Sequence, residues 1–416
     1  MILLVHQPPG WLHSARMTDI PPRVSRILFT NTSIANPTGT ELYVRDLAKD
    51  FAARGCEVII YSPRMGALAE EIRGMAIPVV DDPASLGAAP DIIHGQHHVP
   101  TMQALLAFPE TPGVFFCHGW RPWEEMSPAF PRIRRHVAVD TATRDRIIHE
   151  SGIAPEKVRV IPNFVDLEKF RPRWPLPGWP ERAAIFSNYV KPGSPYHRAV
   201  ATACSRLGIH LDVIGIGFGT GTNRPEIVLP AYDLVFAQGR SAIEALAVGA
   251  AVMVASSRAF GPLVRPENYA DMRRHNFGIR TLVFPTDAAH VECEIRKFDP
   301  REAAEVTVRI RADADLKSAA DAVMGIYQEA IDEHGREPVD KTAECVAMAR
   351  YLGKLDQRLH HADELERHTA NLEQKLANLQ EISRERGRII QRMKRTRLWR
   401  MRDWLHGLRK QNTLTK

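Results

Sequence analysis

An α/β architecture of two parallel-sheet domains followed by a helical C-terminal extension is predicted for this 416-residue chain by three observations. Short β-rich runs alternate with helix-length segments from Arg26 to about residue 335. Pro172, Pro175, Pro177 and Pro180, with Gly178, interrupt that alternation, and neither a helix nor a central strand tolerates such a proline density. Beyond Gly335 the residues become those of a long polar helix.

Arg26-Ile-Leu-Phe-Thr30 reads as the first strand. A polar loop, Asn31 to Gly39, leads to Val44, Leu47, Ala48 and Phe51 at helical spacing. Thr38 and Glu41 stand as a capping box, in which hydroxyl and carboxylate would satisfy free N–H groups of the first turn. Gly55 ends the helix and Glu57 to Tyr61 follows as a second strand. Further strands are expected at Asp91–His94, Gly113–Cys117, His136–Val139 and Val158–Ile161. After the prolines the rhythm restarts with a strand at Ala183–Phe186, a helix near Tyr196–Leu207 and a strand at Leu211–Ile214. Strands at Tyr232–Phe236 and Ala251–Ala255 enclose a helix from Ser241 to Val248. Leu316, Ala320, Val323, Tyr327 and Ala330 mark a closing helix that finishes the second domain or crosses back to the first.

Positions 365, 369, 372, 376, 379, 383, 386, 390 and 393 form an a/d-like seam that Thr369, Ser383 and Arg386 interrupt. A short, imperfect coiled coil is expected, with a single helix packed on the body as the alternative. Twelve Lys/Arg against two acids from Arg384 onward give the tail +10, so with a total of +6 the preceding residues carry −4. The basic character thus belongs to one tail, which points to a polyanionic partner for the tail and disfavours nucleic acid as the partner of the body. Ile389, Ile390, Leu398, Trp399, Trp404 and Leu405 interleave with those cations, as in a helix that lies on an anionic membrane surface, and residues 384–410 are read that way. Packing of the two tryptophans on the body is the competing reading.

With 44% hydrophobic and 25% charged residues the chain is an ordinary globular protein. Its longest apolar run, Ala245 to Ala255, is too short to span a bilayer. The first residues carry no signal-peptide core, and a cytoplasmic location, peripheral at the inner membrane face, is expected. Cys56, Cys117, Cys204, Cys293 and Cys345 are odd in number and far apart, and are read as reduced thiols.

Two such domains suggest a ligand held between them at the C-terminal ends of parallel strands, where helix N-termini meet phosphates. The stretches Asn31–Glu41 and Leu47–Val58 resemble the glycine loop and first helix of the large family 4 (group 1) retaining glycosyltransferases of the GT-B fold. Val158-Arg-Val-Ile-Pro-Asn-Phe-Val-Asp166 is similar to that family's strand ending in Pro-Asn-Gly-Val-Asp, with Phe164 replacing Gly. The segment from Gly239 through Glu244 and Gly249 to Val252 is similar to its nucleotide-binding helix. The three motifs cover residues 26 to 335 in the family's order. The resemblance implies an N-terminal extension (1–25), a Rossmann-like acceptor-side domain (26–171), a proline-rich linker (172–182) and a Rossmann-like nucleotide-sugar-binding domain (183–335). A partly coiled-coil segment (336–395) and the basic amphipathic tail (396–416) complete it.

It further implies transfer of a sugar from a nucleotide-sugar to a glycan or lipid-linked acceptor, with retention, no bound metal and no separate cofactor. The donor's phosphate would assist removal of the acceptor proton. Glu244 would accept two hydrogen bonds from the ribose diol, with Gly39, Gly239, Arg240 and Ser241 around the nucleotide. Glu244 as a surface or capping carboxylate is the alternative. Lys191 would neutralise the leaving diphosphate, and His118 matches the position that touches the donor sugar; a solvated lysine and a structural histidine compete. Three departures stand against the pattern: Phe236 replaces a second Glu, the Gly-Arg pair ahead of Lys191 is absent, and the segment between Gly219 and Tyr232 is short. Arg198 or Arg240 would then substitute for the missing Arg. The other reading is a catalytically degenerate GT-B scaffold that assembles into homo-oligomers through its coiled coil. His94, His97 and His98 lack a completing carboxylate or thiol for a metal, and Gly215-x-Gly-x-Gly219 lacks the rest of a dinucleotide fingerprint.

Overall fold

The structure, a computed structural model, describes residues 24–173, 175–395 and 401. The first sheet is built from β1 (Arg26–Thr30), α1 (Gly39–Ala53), β2 (Glu57–Tyr61), α2 (Ala67–Arg73), β3 (Val79–Val80), β4 (Ile92–Gln96) and α3 (His98–Ala107). It continues through β5 (Gly113–Cys117), β6 (Ile133–Ala138), α4 (Thr141–His149) and β7 (Val158–Val160). Its seven strands run in the order β3-β2-β1-β4-β5-β6-β7, all parallel. Ile27, Leu28 and Phe29 on both faces of β1 are buried, as expected of a parallel strand covered by helices on each side.

The second sheet contains β8 (Arg182–Phe186), α5 (Pro195–Arg206), β9 (His210–Ile214), α6 (Pro225–Val228), β10 (Leu234–Ala237), α7 (Arg240–Ala247), β11 (Ala251–Ala255) and β12 (Phe260–Leu263). Its order is β12-β11-β10-β8-β9, parallel except for β12. The antiparallel β12 was not anticipated: Pro262 and Gly261 mask its strand pattern, and as an edge strand it tolerates both. β9 is the opposite edge, and the short α6 leads straight back to β10 beside β8. Helices α8 (Tyr269–Arg274), α9 (Ala288–Ile295) and α10 (Pro300–Asp313) complete this half. One apolar cluster gathers α7 and α10 on one face of the sheet, and another gathers α5 and α9 on the other.

Next comes α11 (Leu316–Arg336). The boundary 183–335 groups this helix with the second domain, but its buried stripe Leu316, Ala320, Val323 and Tyr327 packs in the first core with Ile27, Val44 and Phe51. The chain crosses back where Val165 N–H donates to Ala314 O (2.8 Å) and Leu316 N–H to Val165 O (3.1 Å). Tyr327 reaches the centre of the first core, where its hydroxyl bonds His94 Nδ1. The His94 ring stacks on Phe116 at 3.8 Å.

One local expectation needs correction. Thr38 is the N-cap of α1, yet its hydroxyl donates to the Glu41 carboxylate, and no side-chain cap bond to the backbone forms. Gly215 and Gly217 of Gly215-x-Gly-x-Gly219 serve packing: a Cβ on them would collide with the carbonyls of Ser187 and Val190 respectively.

The final helix, α12 (Lys341–Lys394), is 54 residues long. Contacts divide the chain into a unit ending at Glu344 and one beginning at Cys345. In the second unit the helix is polar on most of its surface, with Leu365, Leu372, Leu376 and Leu379 exposed. Among the described residues no helix is long and apolar enough to cross a membrane. The extension 1–23 and almost all of the basic tail 396–416 lie outside the described residues.

Candidate active site

The C-terminal ends of β4, β5 and β10, the second turn of α1 and the start of α7 bring polar side chains of both sheets together. Tyr43, Asp46 and Arg45 come from the buried face of α1. His118 follows β5 directly, His97 joins β4 to α3, and Glu125 lies just beyond His118 in a short 3₁₀ turn. Gly239, Arg240, Ser241 and Glu244 belong to the start of α7.

Arg240 is the bridge between the two halves. Its Nη2 donates to Asp46 Oδ2 of α1, and its Nε donates to Glu244 Oε1 one helical turn away at 2.9 Å. Asp46 is held from the other side by Arg45, whose Nε and Nη2 reach Oδ1 at 2.9 and 2.7 Å. Burial opposes ionisation of Asp46, but Arg240 and Arg45 together hold its carboxyl below the usual range. At Glu244 burial prevails over Arg240, with the Asp46 carboxylate adding to it, and raises the carboxyl above its usual range. For Arg240 itself the two carboxylates outweigh burial, so the guanidinium stays charged.

A second cluster adjoins this one. Glu125 accepts the His118 backbone N–H at 2.7 Å, and His97 Nε2 lies 3.7 Å from its other oxygen. Thr32 N–H donates to His97 Nδ1 at 3.2 Å, which leaves the proton of a neutral His97 on Nε2, facing the carboxylate. Burial opposes ionisation of Glu125, yet the two histidines keep it below its usual range. Burial is also the main cause that lowers His118 to about 4, aided by His97 and Arg240 against Glu125. His118 is therefore neutral at physiological pH. His97 adopts φ +61°, a conformation rare for a residue with a side chain, and such backbone strain concentrates at functional sites.

Three buried polar atoms at this junction have no hydrogen-bond partner among the described residues: Tyr43 Oη, His118 Nε2 and Arg240 Nη1. The Tyr43 and His118 rings meet edge to face at 4.4 Å, and the charge of Arg240 acts on both. Orphaned buried donors and acceptors are costly, so these three are the polar atoms of the junction that a bound polar molecule could satisfy. Gly239, with φ +59° and open space where a Cβ would stand, opens α7 and donates its N–H to Phe277 O.

The other sequence candidates fall elsewhere. Gly39 is exposed at the start of α1, with no atom within 4 Å of a Cβ built on it. Lys191 is exposed in the loop after β8, and Arg198 on α5 bonds Gly193 O. Neither of those two cations joins the Arg240 network among the described contacts. Phe236 is fully buried within β10 against α5 and α9, so no carboxylate occupies its position. His94 and His98 are buried, and among the described residues no group of His, Cys, Asp and Glu is arranged to hold a metal. The sequence reading missed Tyr43, Asp46 and Glu125. Asp46 carried a signal, since it is a carboxylate set within the apolar stripe of α1; Glu125 carried none.

Residues 37–169 match the Glycosyltransferase Family 4 family. No curated protein matches the chain in sequence. Among solved structures, the glycosyltransferase from Rickettsia africae ESF-5 is similar over 74% of this chain and 99% of its own, with a TM-score of 0.56 and 15% identity. Anabaena Alr3699/HepE, solved in complex with UDP and glucose, is similar over 73% of this chain and 99% of its own, with a TM-score of 0.52 and 17% identity. The parallel sheets, the crossing-back helix and these likenesses together show that the chain has the GT-B fold, and its residues 37–169 are similar to Glycosyltransferase Family 4.

Proposed function

We propose that the protein is a glycosyltransferase that binds a nucleotide-sugar between its two sheets and transfers the sugar, with retention, to a glycan or lipid-linked acceptor. The observation that carries this reading is the group of unpartnered buried atoms on Tyr43, His118 and Arg240 beside the first turn of α7. Arg240 Nη1 and the N–H groups of that turn suit the charge of a diphosphate. Glu244, one turn further on, suits the ribose hydroxyls, and neutral His118 suits a sugar hydroxyl. Phe236 favours a second reading, a GT-B module that binds without catalysis, because it places no carboxylate where a developing positive charge would be met.

Calorimetric titration with UDP-, GDP-, CMP- and TDP-sugars separates the two readings and identifies the donor. One of the four is expected to bind, and Glu244→Ala to weaken it by about 1.5–3 kcal/mol, the range for hydrogen bonds to charged groups. Unchanged affinity in a folded Glu244→Ala protein removes Glu244 from the site. Absence of binding by the wild-type chain to any of them favours the module without catalysis.

The basic tail supplies the approach to a lipid-linked acceptor in this proposal. Each cation near an anionic leaflet contributes at most about 1 kcal/mol, so binding rests on several acting together. Full-length protein is expected to co-sediment with anionic vesicles in a salt-sensitive manner, and a chain ending at Ser383 to remain in the supernatant. Equal recovery of the two forms rejects the surface role.

A further inference from the structure

We infer that α12 beyond Cys345 is one half of an antiparallel coiled coil formed with a second copy of this chain. The helix would be about 80 Å long at 1.5 Å per residue, and between residues 362 and 393 most of its exposed large apolar side chains lie along a narrow stripe, with Leu352 and Leu359 out of phase before it. Leu365, Leu372, Leu376, Leu379 and Ile390 fall on a seam of alternating steps of four and three that Thr369, Ser383 and Arg386 fill between them, and each leaves roughly half of its surface exposed. Ile382 and Ile389 border the stripe and are exposed as well. A stripe limited to a and d positions is the seam of a coiled coil, whereas a helix resting on a globular body needs a broader apolar face.

Charge selects both the partner and its direction. Residues 362–381 carry five acids and two Lys/Arg, a net −3, and residues 382–395 carry six Lys/Arg and one acid, a net +5. A parallel, in-register pair sets +5 beside +5 and places Arg386 of each copy against the other in the core. An antiparallel pair centred on Leu376 and Leu379 sets the acidic half of each helix along the basic half of the other. The core then closes without a charge clash: Leu376 meets Leu379 of the second copy, Leu365 meets Ile390, and Leu372 meets Ser383. Arg386 faces the Thr369 hydroxyl, which accepts from it. A polar layer of this kind fixes register at some cost in stability. An anionic membrane suits this stripe poorly, because its first half carries the same sign as the lipid.

Light scattering on the eluting full-length protein tests the assignment. The wild-type chain is expected at twice its 46.8 kDa mass, and the Leu376→Asp/Leu379→Asp protein at the mass of one chain, with its circular dichroism otherwise retained. Direction is read by crosslinking after the two exposed thiols are removed by Cys293→Ser and Cys345→Ser. Leu365→Cys and Ile390→Cys proteins, oxidised separately with oxidised glutathione, are expected to stay uncrosslinked, and to form a disulfide-linked dimer when mixed and reassembled. Self-crosslinking of either variant overturns the antiparallel arrangement. A monomeric wild-type chain overturns the assignment, and so does a dimer that survives Leu376→Asp/Leu379→Asp. A monomer whose sedimentation with anionic vesicles depends on Leu376 and Leu379 assigns the stripe to a membrane instead.

Discussion

Arg240→Met is expected to lower the stability of the folded chain by about 3–5 kcal/mol, the cost of leaving buried charges without their partner. It is also expected to weaken nucleotide-sugar binding by about ten- to a hundredfold, equivalent to one charge-assisted hydrogen bond. The size of the first effect follows from what Arg240 holds: Asp46 of α1 and Glu244 of its own helix are both buried and both lean on its guanidinium. Arg45 remains to Asp46, but Glu244 is left without a cation within bonding distance among the described contacts. Arg240→Lys keeps the charge and loses the fork that reaches two carboxylates at once, so it is expected to fall between wild type and Met. Asp46→Asn separates the two effects, because it removes the negative charge that Arg240 meets across the sheets and leaves Arg240 and Glu244 in place; stability should drop while binding persists. Urea unfolding and calorimetric titration of the three proteins measure this. Wild-type affinity in a folded Arg240→Met protein would show that Arg240 only joins the domains.

The sheets could be read from the sequence because their signal is local. Parallel strands covered on both faces appear as near-continuous apolar runs such as Ile27-Leu-Phe29 and Val114-Phe-Phe116, and prolines mark the break between them. The Thr38–Glu41 pair shows where a local pattern misleads: the carboxylate fits the spacing of a capping box, but it bonds the hydroxyl that should have served the backbone. The place of α11 was left open by the sequence for a different reason. Its stripe from Leu316 to Ala330 demands an apolar partner without naming one, and the choice was settled by the bridge between Val165 and Asp315 far apart in the chain. The candidate site was legible only in its second half, where Gly239, Arg240 and Glu244 follow one another within the start of one helix. Its first half is assembled by the ends of three elements, and Glu125 gains its meaning only because the chain folds back to place it under His118. Arg240 stood in the sequence as a cation near a nucleotide; its link to Asp46 spans 194 residues and has no trace in local pattern.

Stability is expected to fall steeply as pH drops below 6.5, and the cause is a set of imidazoles buried in neutral form. Burial is the main cause that lowers His98 and His118 to about 4, His136 to about 3 and His94 well below its usual value. In the unfolded chain each takes up a proton near pH 6.5. The unfolded state therefore binds more protons than the folded state between pH 6.5 and those lowered values, and stability must decrease with falling pH across that window. Each group contributes about 1.4 kcal/mol per pH unit once below 6.5. Glu244 and Asp50, raised chiefly by burial, act in the opposite sense, and they do so near the carboxylate range, below most of this window. Urea unfolding at about pH 7.5, 6 and 5 reads the slope. His136→Phe isolates one group: His136 lies on β6 in the interior, and its Nδ1 has no hydrogen-bond partner among the described residues. An aromatic ring of similar size can take its place beside Phe115. That variant is expected to unfold with a slope shallower by about 1.4 kcal/mol per pH unit while retaining nucleotide-sugar binding at neutral pH. A stability profile that is flat down to pH 5, or a His136→Phe slope equal to that of the wild type, would show that these imidazoles gain their protons without unfolding the chain.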